Sequence, residues 1–257
     1  MRRVVLGLAV VLAAGCSGGG GSGSAGFGSA PSALPRASSP PPAPTPSPAP
    51  IVYAAVGASE TAGVGAQDPR DQAWPMVFYQ TALPPTAVFY SFGVPGATTQ
   101  AALAGEVPAA LAVRPTLVTV WLNVNDLIAG VSAADYEARL GQLVHALRQD
   151  GAARVLVANT PSLDRLPLYL ACRTGSTACP FTGAVPAPAD LNATVDAYNA
   201  AIARVAQREG ATLVDLHAQG EVPDQHPDWV SADGFHPNAA GYAAIAQRFA
   251  AAFAASG

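Results

Sequence analysis

From residue 51 onward, short apolar runs alternate with longer stretches whose apolar positions recur at helical spacing. The runs 51–56, 87–92, 116–122, 154–158 and 212–216 are rich in valine, leucine and aromatic residues. Each predicts a strand buried on both faces, as in a parallel sheet. The intervening segments predict helices over 71–83, 100–113, 133–149 and 191–208, with a last one over 238–252. Ser132 and Asp190 stand where helix caps belong, and Gly151 and Gly210 where helices should stop. Five strands alternating with helices predict a three-layer α/β/α fold around a mainly parallel five-stranded sheet. In such sheets ligands bind at the carboxyl ends of the strands.

The first fifty residues follow neither period. Arg2 and Arg3 precede an apolar segment of about a dozen residues, too short to span a membrane and of the length of a signal-peptide core. Leu12-Ala13-Ala14-Gly15-Cys16 then resembles the bacterial lipoprotein signal, which implies cleavage before Cys16 and a lipid on that cysteine. The alternative is an ordinary secretory signal with an incidental cysteine. Residues 18–23 are Gly/Ser-rich and 40–50 proline-rich, so no core can form there. The expected organisation is a signal peptide over 1–15, a lipidated Cys16 with a disordered tether over 16–50, and one domain over 51–257. The expected site of action is outside the cytoplasm, at the membrane that holds the lipid.

Composition narrows the chemistry. The 257-residue chain has 13 basic and 17 acidic side chains, and every basic one is arginine. Without lysine there is no Ser-Lys dyad, Schiff-base amine or P-loop lysine. No cluster of cations offers phosphate neutralisation, so nucleic acid is not an expected partner. The three cysteines and four histidines form no ligand spacing, and no metal or other cofactor is expected.

Four polar or glycine-rich clusters fall after predicted strands or before the last helix. They are Gly57-Ala58-Ser59-Glu60, Gly93-Val94-Pro95-Gly96, Asn123-Val124-Asn125-Asp126 and Asp233-Gly234-Phe235-His236-Pro237. A serine hydroxyl needs a base to take its proton during attack, and imidazole serves at neutral pH. An aspartate three residues before a histidine can reach its Nδ1 and fix the tautomer. With these residues in this order, the stretch 51–257 resembles the SGNH hydrolases, or GDSL esterases and lipases, which have a flavodoxin-like α/β fold. The resemblance implies that Ser59 is the nucleophile, His236 the base and Asp233 its orienter. It also implies an oxyanion hole from the Ser59 and Gly96 N–H groups and the Asn125 amide, each donor worth about 3 kcal/mol. The most specific match is Asp-Gly-Phe-His-Pro-Asn, followed by Asn125-Asp126.

Two positions depart from the family pattern. Ala58 stands where the family has aspartate, and Asn123-Val124 where it often has glycine. The missing aspartate bears on how firmly the Ser59 loop is held. Asp126 is expected to bond the loop that positions Asn125. His145 is expected to be a partly exposed helix residue, while His217 and His226 are further candidates to line a pocket. Among the aromatics, Trp74, Tyr79, Tyr90 and Trp121 are expected in the core and Trp229 near the site. Cys172 and Cys179, seven positions apart in an exported chain, read as a disulfide in a loop facing the substrate, with two free thiols as the alternative. The expected substrate is a small-molecule, lipid or carbohydrate ester. Alternatives are a polysaccharide deacetylase with the same machinery and a lipoprotein scaffold that binds without catalysis.

Overall fold

The structure, a computed structural model, describes residues 50–177, 179–180, 185–218 and 226–256. The signal segment 1–15, Cys16 and residues 17–49 of the tether lie outside the described residues. The strands are β1 (Val52–Gly57), β2 (Val88–Ser91), β3 (Leu117–Trp121), β4 (Arg154–Ala158) and β5 (Thr212–Val214). They form one parallel sheet in the order β2-β1-β3-β4-β5. The helices are α1 (Ser59–Ala62), α2 (Pro69–Gln72), α3 (Trp74–Ala82), α4 (Thr99–Ala104), α5 (Glu106–Ala112), α6 (Val124–Ile128), α7 (Ala133–Arg148), α8 (Pro167–Arg173), α9 (Pro188–Glu209) and α10 (Ala239–Ala255).

Alternation along the strands divides the core into two layers. Ala54, Val56, Val118, Val120, Val155 and Val157 face α4, α5, α7 and α9. Tyr53, Ala55, Leu117, Leu156 and Val214 face α3 and α10, where Trp74 stacks on Phe249 at 4.0 Å between ring centroids. The result is the three-layer α/β/α architecture. The chain leaves β1 in one direction to reach β2 and crosses back over it to reach β3. The crevice opened by that reversal lies beyond Gly57 and Trp121, which pair at the carboxyl ends of β1 and β3.

Several local expectations are corrected. β2 is an edge strand with one neighbour, so it is not buried on both faces: Val88 is 44% and Tyr90 40% exposed. The helix expected over 71–83 is two helices, because the Pro75 ring excludes the carbonyl four residues back and must fall in a first turn. Pro108 divides the segment over 100–113 for the same reason, with the break at Gly105. α9 starts at Pro188 with Ala187 at its cap position, which leaves Asp190 inside the first turn instead of capping it. Ser132 does cap α7, and Gly210 ends α9 in the left-handed conformation. α7 itself turns left-handed at Gln149, two residues before Gly151.

Candidate active site

β1 delivers Gly57, Ala58 and then Ser59, the first residue of α1. Gly57 is required there, since a Cβ would lie 2.0 Å from Thr61 Oγ1 and 2.8 Å from the Trp121 carbonyl. Ser59 is buried, and its hydroxyl donates a hydrogen bond to Glu60 Oε2 at 3.2 Å. Burial pushes the Glu60 carboxyl above its ordinary range, while the hydrogen bonds it accepts and the nearby His236 oppose that shift.

The loops after β2 and β3 are stitched together. Val94 N–H donates to the Gly57 carbonyl at 2.9 Å, and Ala97 N–H to the Val94 carbonyl at 3.0 Å. Gly96, between them, is left-handed with φ 82° and exposed. Asn125 Nδ2 donates to the Ala97 carbonyl at 3.0 Å, which fixes the amide and leaves its second N–H available. Asp126 is fully buried and accepts from Thr99 N–H at 2.8 Å and Thr99 Oγ1 at 2.7 Å. It therefore ties α6 to the start of α4, the structural part expected of it.

The fourth cluster forms a turn before α10. Asp233 Oδ1 accepts from Ser231 Oγ at 2.8 Å, Phe235 N–H at 2.8 Å and His236 N–H at 2.9 Å. Its Oδ2 is 2.7 Å from His236 Nδ1. A carboxylate only accepts, so Nδ1 carries a proton and donates it to Asp233. Burial raises the Asp233 carboxyl, but these four hydrogen bonds outweigh it and hold the group at about 2.

The serine and histidine segments pack directly on each other. A Cβ on Gly65 would lie 2.6 Å from the Pro237 carbonyl and 2.9 Å from His236 Cβ. Tyr242 on α10 donates its hydroxyl to the Val64 carbonyl. In the structure Ser59 Oγ bonds Glu60 and His236 Nδ1 bonds Asp233, with no direct hydrogen bond between the serine and the histidine.

Beside this site lies a cavity of ≈ 290 Å³ whose walls include Glu60, Trp121, Leu163, Leu166, Trp229 and Phe235. Trp121 thus serves both core and cavity wall, while Trp229 lines the cavity as expected. His226 also lines it and stacks on Trp229 at 3.8 Å. His217 is turned away, with Nδ1 3.0 Å from the Thr160 carbonyl, and His145 is exposed beside Glu209. Cys172 and Cys179 form a disulfide. It closes the chain just after α8, whose Leu168 N–H donates to the Gly234 carbonyl at 3.0 Å. Among the described residues no group of His, Cys, Asp and Glu is arranged to hold a metal ion.

Residues 55–244 match the model of the GDSL-like Lipase/Acylhydrolase family. The chain belongs to this family. As a GDSL-like protein it is an SGNH serine hydrolase acting on esters. No curated protein matches it. Solved structures share its fold at low identity. TesA is 22% identical with a TM-score of 0.60, over 79% of this chain and 97% of that one. The psychrotrophic esterase EstA from Pseudoalteromonas sp. is 16% identical with a TM-score of 0.58, over 80% and 97%. The acetyl xylan esterase AlAXEase is 17% identical with a TM-score of 0.58, over 79% and 99%. Against the GDSL-like pattern, Glu60 is the residue that sequence reasoning missed. Its signal was a carboxylate directly after the serine, in a segment otherwise free of charge from Ile51 to Ser59.

Proposed function

We propose that this hydrolase is an extracytoplasmic serine esterase that cleaves carboxylic esters through an acyl-enzyme on Ser59. Ser59 Oγ attacks the ester carbonyl as its proton passes to His236 Nε2, and Asp233 stabilises the imidazolium that results. The Ser59 and Gly96 N–H groups and the free Asn125 N–H stabilise the oxyanion of the tetrahedral intermediate. Collapse breaks the bond to the leaving oxygen, which takes the proton from His236. Water, deprotonated by the same imidazole, then attacks the acyl-enzyme and releases the acid.

The observation that carries this reading is the 2.7 Å contact between His236 Nδ1 and Asp233 Oδ2, on a turn packed against Gly65. It leaves Nε2 as the basic atom, and only the five residues 60–64 separate Ser59 from Gly65 along the chain. The neighbour EstA was solved inhibited by monoethylphosphonate, which supports a phosphonate probe for this chain too. The apolar cavity favours esters with an apolar portion, whereas the likeness to AlAXEase supports acetylated sugars. The pattern of Arg2, Arg3, an apolar segment and Cys16 supports export and lipid anchoring.

The test is fluorophosphonate labelling together with turnover on nitrophenyl esters of graded length and on acetylated sugars. Labelled wild type and unlabelled Ser59→Ala are expected. Folded wild type with neither labelling nor turnover would overturn the catalytic reading in favour of a binding scaffold.

A further inference from the structure

We propose that Glu106 on α5 is a positioning residue for Ser59, acting as the acceptor that fixes Gly57 at the point where pairing with β2 runs out. This rests on the reading of Ser59 as nucleophile. β2 ends at Ser91, opposite Ala55, so Gly57 extends beyond the paired part of that edge. Its N–H donates to Glu106 Oε2 at 2.8 Å, and its carbonyl accepts from Val94 N–H at 2.9 Å. On the other side, Thr61 and Trp121 leave no room for a side chain. The backbone two residues before the nucleophile is thereby held from three directions.

The hold extends to the other oxyanion donors. From Gly57 the hydrogen bonds run through Val94 to Ala97, and from Ala97 to Asn125 Nδ2. Asp126, next to Asn125, closes the far end on Thr99. Ser59, Gly96 and Asn125 thus sit on one hydrogen-bonded frame with a buried carboxylate at each end. The residue before Ser59 is Ala58, buried in the apolar core, so its side chain supplies no polar hold on the loop.

A carboxylate is a costly choice for this place. Glu106 is 5% exposed, and its Oε1 has no hydrogen-bond partner among the described residues. Burial pushes its carboxyl up to about 7, against the lowering effect of the Gly57 hydrogen bond. An apolar side chain would fill the space without that cost, but it would leave Gly57 N–H unpaired at the nucleophile. Displacing a reacting group by about 1 Å can lower a rate 100-fold.

The experiment compares Glu106→Gln, which keeps an acceptor oxygen, with Glu106→Leu, which has none, and Glu106→Asp, which draws it back by one methylene. All are made in the full chain. Each is assayed for kcat and KM per active site titrated with a fluorophosphonate, for labelling rate, and for thermal midpoint. Val205→Ala, in the core under α9, serves as a variant destabilised away from the site. Glu106→Gln is expected within about 3-fold of wild type. Glu106→Leu and Glu106→Asp should lose about 10- to 100-fold in kcat and in labelling rate, with KM within about 2-fold. Val205→Ala should lower the midpoint with kcat unchanged. If Glu106→Leu does not fold, the Asp and Gln variants decide. Wild-type kcat in the Leu or Asp variant, or equal loss in Gln and Leu, overturns this proposal alone. An unlabelled wild type overturns the nucleophile reading and this proposal with it.

Discussion

Ser59 donates its hydroxyl hydrogen bond to Glu60, the next residue along the chain, and His236 is left with Nε2 unengaged. The proposed nucleophile is therefore hydrogen-bonded to Glu60 and not to its proposed base. Catalytic hydrogen bonds are often long or misaligned without substrate and tighten on binding. Here the base has a named competitor, the Glu60 carboxylate.

Removing that competitor should free the hydroxyl. Glu60→Leu is expected to raise the rate of fluorophosphonate labelling by about 5-fold near pH 8, the equivalent of one ordinary hydrogen bond. Burial raises the Glu60 carboxyl, so it takes up its proton at a higher pH than an ordinary glutamate does. The difference between variant and wild type should shrink accordingly in acid. Equal labelling rates at both ends of the pH series would show that the Glu60 contact does not compete with attack.

Asp233 should act on turnover and on acid stability separately. Asp233→Asn leaves an amide facing Nδ1 and favours the wrong tautomer, so kcat should fall at least about 100-fold. Its folded-state carboxyl, at about 2, lies below the ordinary 3.8. A depressed carboxylate stabilises the fold fully above its unfolded value, and that contribution disappears as pH falls through the folded one. The midpoint difference between wild type and Asp233→Asn should thus be present at pH 5 and vanish toward pH 2. A constant difference across that range would contradict the hydrogen-bonded carboxylate.

Gly65 holds the two halves of the site at contact distance. Gly65→Ala adds a Cβ 2.9 Å from His236 Cβ at a position with φ +96°. The strain costs about 1–3 kcal/mol of stability. The displaced imidazole should lower kcat by about 10-fold or more, with a smaller change in KM. A destabilised variant with wild-type kcat per titrated site would mean that the contact does not set the position of His236.

The disulfide closes a loop at the end of α8, whose cap residue Leu166 lines the cavity. Cys172→Ser with Cys179→Ser should lower stability by about 2 kcal/mol, the scale for closing so short a loop. KM for long-chain esters should rise, while turnover of short esters stays within a few-fold. Calorimetry and a chain-length series check both parts, and loss of short-ester turnover alone would contradict the assignment.

Much of this architecture was legible in the residues. The strands stand out because a central parallel strand is apolar on both faces, and the five apolar runs contain all five strands but for Gly57 at the end of β1. The Asp233 to His236 turn was legible because its hydrogen bonds are local, within three residues. Helix breaks at Pro75 and Pro108 were missed where apolar periodicity continued across them. Glu106 was invisible for a different reason. Its partner Gly57 is 49 positions away and is met through a backbone atom, which leaves no mark on residue type. Gly65 likewise reads as a loop glycine until its distant neighbour His236 is placed against it.

Ser59 belongs to the first element pair of the sheet, and His236 to the turn that introduces its final helix. Between them the chain must complete every crossover, and Tyr242 must reach back to the Val64 carbonyl. Strands β2 to β5 all lie between the serine's loop and the histidine's turn along the chain. The two segments therefore meet only once the carboxyl-terminal helix has docked, so the site is assembled by the fold as a whole and not by any local stretch of chain.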